Sequence, residues 1–240
     1  MMERFSFAAA LVLAFIGAAY AANQAGDVAR ARADNPVLIT IDTHTDIPTF
    51  FASVKYDPAK TNPPPVLVDL PRMKAGHLDA VFFISYVDQT KRDATGYAEA
   101  ASEAFAKFAA IHRMTDELYS DQIGLALTSA DIRRIHAQGK SVALIGMENG
   151  YSIGKNIDLL NIYYGLGARY FDKSNADGGE HGGLSEFGRK VIERCNDLGL
   201  MVDVSHSAKS TTLQAIEASR VPIIASHSAV FALNPHARNM

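Results

Sequence analysis

The sequence contains a single cysteine, Cys195, in 240 residues. No intrachain disulfide can form, and a cysteine-rich zinc site is excluded. An excess of positive charge is also missing. Lys and Arg number 23 against 26 Asp and Glu, for a formal net charge of −3. A broad nucleic-acid-binding surface needs clustered basic residues, so no nucleic-acid partner is expected. Apolar runs of membrane length are scarce: one lies near the N-terminus and none follows. The chain is 48% hydrophobic and 20% charged, which excludes a disordered tail or a collagen-like repeat. That composition suits a globular protein with a sizeable core. Thiolate ligands being unavailable, any metal would fall to the eight histidines and the carboxylates.

The apolar run covers residues 5–21. It follows Arg4, whose charge Glu3 weakens, and ends in the small-x-small pattern Ala19-Tyr20-Ala21. This reads as a secretory signal peptide rather than an anchor or a core helix. Residues 22–240 then form a single domain, secreted or periplasmic, with no stable membrane span after cleavage. In such a compartment Cys195 is an odd thiol, and its place between Ile192 and Leu198 on a helical stretch suggests simple burial.

Further along, apolar segments alternate with helical ones. Residues 37–41, 81–87, 142–147, 168–171, 200–204 and 221–225 read as strands. Their near-continuous apolar character suits strands covered on both faces. Helices are expected at 97–118, at 131–138 (capped by Thr128 or Ser129 and stopped by Gly139), at 187–198 (between Ser185 and Gly199) and at 209–219. Such alternation implies parallel strands and right-handed crossovers. A (β/α)8 barrel of the TIM type needs eight strands. About six are legible, so the expected fold is an incomplete TIM-like α/β barrel, in preference to an open sheet.

The polar residues at the strand ends are the informative ones. Asp42-Thr43-His44-Thr45-Asp46 follows the first expected strand. Residues two apart in extended chain point the same way, so His44 and Asp46 can converge on one ion. Glu148 ends the third expected strand, and His206 and His227 follow the last two. In a parallel barrel the C-terminal strand ends build the active site. Nitrogen and oxygen donors without sulfur suit zinc or a similar hydrolytic metal. Three histidines and two carboxylates exceed the needs of one tetrahedral ion, and two ions sharing Glu148 is the economical arrangement. Asp203 lies on the other side of its strand, as a supporting carboxylate rather than a ligand. His77, His112, His136 and His236 are read as surface, turn or packing residues.

Several of these pieces occur in one order. They are His44-x-Asp46, Gly146-Met147-Glu148-Asn149-Gly150, Gly167-Ala168-Arg169-Tyr170, Gly183-Leu184-Ser185-Glu186-Phe187-Gly188, Asp203-Val204-Ser205-His206, Ser226-His227-Ser228 and Arg238-Asn239. Together they resemble the membrane dipeptidase (renal dipeptidase) family of zinc metallopeptidases, most of all its secreted bacterial members. The resemblance implies a (β/α)8 barrel holding two Zn2+ ions. His44 and Asp46 would bind the first and His206 and His227 the second. Glu148 would bridge both, which makes it the candidate catalytic residue. Water acidified by the two cations would hydrolyse the amide of a small dipeptide, the expected partner. Arg238 matches the family's substrate-binding arginine and suits a carboxylate. Family members are often homodimers, so a homodimer is the assembly the resemblance allows.

Two departures stand out. Where the family has a substrate-contacting histidine, ungapped counting places Asn175, and a short deletion before Asp177 fits as well. The family's later aspartate, which handles the proton passed to the leaving amine, has no counterpart before Met240. Two alternatives follow. One is an amidohydrolase of another small amide on the same barrel, against which His44-x-Asp46 argues because such enzymes usually show His-x-His. The other is a metal-binding chain impaired in turnover.

Overall fold

Residues 142–147 are all buried, as an apolar, β-branched run demands when both faces of a strand are covered. They form the centre of β4 (Ser141–Glu148) in a computed structural model of the chain. The structure describes residues 38–172, 181–236 and 238–240, with Asp27, Arg30 and Ala31. The expected signal peptide and Asn175 lie outside the described residues. The other strands are β1 (Ile41–Asp46), β2 (Ala80–Tyr86), β3 (Ile123–Leu125), β5 (Ala168–Asp172) and β6 (Met201–Asp203). All pair in parallel, in the order β1-β2-β4-β5-β6. β2 runs along one edge of β4 from Val142 to Glu148. The other edge is shared, with β3 on Ser141 to Ala143 and β5 on Ile145 to Met147.

Helices connect the strands: α1 (Leu70–Ala75), α2 (Ala94–His112), α3 (Ser129–Ala137), α4 (Leu159–Gly165), α5 (Glu186–Leu198) and α6 (Lys209–Ala218). Their ends follow local chemistry. Asp93, Thr128 and Ser185 each accept a backbone N–H of the first turn. Gly199 closes α5 in the left-handed conformation, φ 77°, which glycine adopts without a Cβ penalty. Residues from α1, α2, α4, α5 and α6 join one face of the sheet in the larger core, around Phe83, Phe108, Ile145, Tyr163 and Phe171. A smaller core holds the alternate strand positions Phe82, Ile84, Leu144 and Tyr170, with Ile135 of α3. Cys195 is fully buried in α5, as its apolar neighbours suggested.

The parallel six-stranded sheet is the expected α/β class, but its membership differs from the sequence reading. The first strand begins at Ile41 rather than ending there, because pairing with β2 continues through the polar residues as far as Asp46 and Ile84. β3 was not expected: three residues with a central glycine leave no periodic signal. Residues 221–225 contribute one isolated bridge, Ile224 to Asp203, and Val221 is 46% exposed. The expected helix at 97–118 becomes α2 followed by a π-helical turn, Arg113–Leu118. Among the described residues no helix is long and apolar enough to cross a membrane.

Candidate metal centre

Glu148 is the last residue of β4 and shares a strand face with Leu144 and Gly146. It is 6% exposed. Its two oxygens face different partners. Oε2 lies 2.8 Å from His44 Nε2, and Oε1 lies 3.0 Å from His206 Nε2 and 4.0 Å from His227 Nε2. Asp46 Oδ1 is 3.6 Å from His44 Nε2, as the two-residue spacing on extended chain requires. Donor atoms of His44, Glu148 and His227 all lie within 4.8 Å of one another. The imidazoles of His44 and His227 stack, with ring centroids 3.5 Å apart, and His206 tilts against His227 at 4.8 Å.

The five expected ligands therefore come together, but not all by the expected route. His44 and Asp46 sit inside β1 rather than beyond it. His206 lies three residues past β6, in a tight turn where its own φ is +62°. That left-handed conformation is uncommon for histidine and aims the ring at Glu148 instead of along the strand. Asn149 at φ 73° turns the chain sharply just after Glu148. His227 follows the single bridge at Ile224, and its backbone N–H donates to Ser205 Oγ.

Other residues orient these side chains. Tyr170 of β5 is fully buried, and its hydroxyl donates to Thr43 O at 3.1 Å. It can then accept from His44 Nδ1, 2.8 Å away, leaving Nε2 turned to Glu148. Gly146 makes room for the Tyr170 ring: a Cβ there would fall 2.3 Å from Cζ. Asp203 is fully buried and accepts from the backbone and hydroxyl of both Ser205 and Ser226, in keeping with a supporting role. Tyr170 and Ser226 appear in the sequence reading only as parts of motifs. Lys107 was missed altogether. It is buried, with Nζ donating to Tyr86 O and 3.1 Å from Glu103. An i,i+4 Glu–Lys pair on a helix looks like any solvent-exposed pair in sequence.

The charges divide unequally. For His44, burial works against the imidazolium, but hydrogen bonds and charges from Asp46 and Glu148 outweigh it and raise the pKa to about 9. Burial favours a protonated Asp46, yet His44, Lys107 and His227 hold its carboxyl below the usual range. Burial and then the positive charge of His44 push His227 down to about 4. His206 is lowered as well, chiefly by burial, and Arg238 Nη2 donates to its Nε2 at 2.6 Å. The His206–Glu148 contact is accordingly two lone-pair-bearing atoms side by side, not an ion pair.

That arrangement fits a metal. His227 Nε2 is buried without a hydrogen-bond partner, a condition disfavoured by about 1–3 kcal/mol unless something binds there. Donor atoms around a tetrahedral zinc are separated by roughly 3.3 Å, given bonds of about 2.0–2.1 Å. The donor separations of 2.8, 3.0, 3.6 and 4.0 Å bracket that spacing. Arg238 occupies the rim, its Nη1 donating to His227 O at 2.9 Å. Of the histidines set aside, His112 ends α2 with both ring nitrogens on acceptors, and His136 of α3 lies 3.4 Å from Asp79.

The chain is similar to several known proteins. Dipeptidase tcpJ of Claviceps purpurea is 33% identical over 189 residues, covering 72% of this chain and 44% of its own length. The probable dipeptidase PvdM of Pseudomonas aeruginosa superposes with a TM-score of 0.81 at 25% identity, over 91% of this chain and 58% of its own. A solved metallopeptidase, the dipeptidase AC, matches with a TM-score of 0.65 at 27% identity, over 72% of this chain and 57% of its own. The sheet described above thus corresponds to part of a larger barrel-like fold in these neighbours. The chain spans less than half the length of the curated relatives it matches. The family model for membrane dipeptidases, peptidase family M19, matches residues 28–240. With the ordered strand-end donors and the shared fold, this match shows that the chain belongs to the membrane dipeptidase family.

Proposed function

We propose that this chain carries the metal-binding part of a secreted dipeptidase that hydrolyses small dipeptides with two zinc ions. The observation that supports it most is the division of Glu148: one oxygen turns to His44 and the other to His206 and His227. On that division, His44, Asp46 and Oε2 would hold one ion, and His206, His227 and Oε1 the other. Bound zinc supplies Lewis acidity, which polarises an amide carbonyl and activates water near neutral pH. Everything else is the work of the chain's side chains. Glu148, buried and shared, keeps the two groups of donors at a set separation. Tyr170 orients His44 from behind. His44 and Glu148 are both buried, which strengthens the electrostatics between them, while Asp46 stays open to solvent. Arg238, with its guanidinium beside His206 and His227, is the group to hold the dipeptide's carboxylate. Because His206 Nε2 has one in-plane lone pair and Arg238 Nη2 donates to it, Arg238 and a metal would exclude one another there, and a guanidinium displaced from His206 would be available to a substrate carboxylate. The dipeptidase names of the relatives support the substrate class, and the run at 5–21 supports export.

Metal analysis on monodisperse protein lacking residues 1–21 tests this directly. About two zinc ions per chain are expected, together with release of amino acids from a dipeptide panel. A single ion would sink the shared-carboxylate arrangement, and none would sink the metal reading. Arg238→Ala should leave the zinc content intact and raise KM for dipeptides roughly 10- to 100-fold, the loss of a charged hydrogen-bonding partner.

A further inference from the structure

Ser226 lies between a carboxylate and an imidazole. Its Oγ makes a short hydrogen bond to Asp203 Oδ2 and is 2.7 Å from His227 Nδ1. A serine hydroxyl has one proton to give. The carboxylate accepts, so that proton points to Asp203. Ser226 Oγ must then accept from His227, and the proton of that ring sits on Nδ1. Nε2 is left bare, in agreement with its being buried and without a partner. Other neighbours of Ser226 Oγ are more distant or already committed: Ser205 Oγ is at 3.4 Å, His44 Nδ1 is at 3.5 Å, and the nearby Tyr170 hydroxyl gives its proton to Thr43 O. Asp203 is itself held, because Oδ1 accepts from Ser205 N, Ser205 Oγ and Ser226 N at 2.9, 2.9 and 3.1 Å. Oδ2 has Ser226 Oγ as its partner.

We infer that Asp203 and Ser226 are positioning residues that lock His227 in the tautomer with a free Nε2, ready for a metal. The inference deepens the proposed function and rests on it for the role of the free nitrogen. The direction of the hydrogen bonds stands on the geometry alone. Supporting partners of this kind typically change metal affinity by 10- to 100-fold.

The asymmetry of Asp203 provides the test. In Asp203→Asn, Oδ1 can keep its three donors while the amide nitrogen replaces Oδ2 and donates to Ser226. The serine proton is then released toward His227 Nδ1, and the tautomer reverses. Long-range proton–nitrogen NMR correlations of the imidazole, on metal-free full chain near neutral pH, distinguish the two forms. Wild type and Ser226→Thr should show Nδ1 protonated and Nε2 bare. Asp203→Asn should show the opposite, and Ser226→Ala a mixture. Zinc titration against a competing chelator should give a 10- to 100-fold weaker site in Asp203→Asn and Ser226→Ala, restored in Ser226→Thr. Wild type with Nε2 protonated, or a tautomer indifferent to both substitutions, overturns the inference. If Asp203→Asn does not fold, the Ser226→Ala and Ser226→Thr pair decides alone. Tautomers that respond as stated in a chain that takes up no zinc would refute the metal reading and leave the lock standing. Zinc uptake with indifferent tautomers would do the reverse.

Discussion

Replacing Glu148 with glutamine should destabilise the metal-free protein in a pH-dependent way. Without metal, the His44 pKa is raised from the ordinary 6.5 to about 9. The folded chain therefore favours the imidazolium by about 2–3 kcal/mol, allowing for partial screening. Asp46 and Glu148 share that effect against the opposing influence of burial. Glu148 acts from 2.8 Å and is buried, while the Asp46 side chain acts from 3.6 Å and is 63% exposed. Glu148 is the nearer and more deeply buried partner, and losing its charge should remove about 1–2 kcal/mol. The sign follows from linkage. A raised histidine contributes fully below pH 6.5, and its contribution fades as pH rises through about 9. Above that pH the wild-type carboxylate has lost its cation, and glutamine should be as stable or more so. Urea unfolding in excess chelator, at a series of pH values, measures the difference. An offset between wild type and Glu148→Gln that stays constant, or grows with pH, refutes the reasoning. On the two-zinc proposal, the same variant should bind neither ion at wild-type affinity.

Gly146→Ala would place a Cβ 2.3 Å from Tyr170 Cζ inside the buried sheet. Overpacking of this kind is unfavourable by about 1–3 kcal/mol in urea unfolding. It should also weaken zinc binding by moving the Tyr170 hydroxyl away from His44, and a loss of stability with unchanged zinc affinity would disprove that link. His112 contacts Asp116 Oδ2 at 2.9 Å and Leu166 O at 2.8 Å, so both ring nitrogens face acceptors. Burial lowers its pKa, but Asp116 and the Leu166 carbonyl more than offset this and raise it. His112→Gln should therefore lower the thermal midpoint most below pH 6.5 and progressively less as pH rises, whereas a pH-independent drop would mean that His112 only packs.

Local chemistry in the sequence was enough for β2, β4 and β5, whose runs are apolar but for Ser85, Arg169 and the polar residues at their ends. It was also enough for α5, bounded by the Ser185 cap and the Gly199 stop. The five donor residues were legible because polar groups directly after apolar strands stand out. The same reasoning misplaced β1, where the pairing runs through polar residues. It missed β3, which is too short to show a period, and extended residues 221–225 into a strand that the sheet edge supports at one position. Which atoms the site can offer is thus a property of residue type and spacing. How they are aimed is not. Tyr170 reaches His44 across 126 positions of chain, and Ser226 lies near the same ring from 182 positions away. The two oxygens of Glu148 are divided only because parallel pairing brings β1 and the turn after β6 to opposite sides of β4's end. Spacing along the chain determines which side chains share a face, whereas the direction of a hydrogen bond depends on donors and acceptors that meet only after the strands have paired.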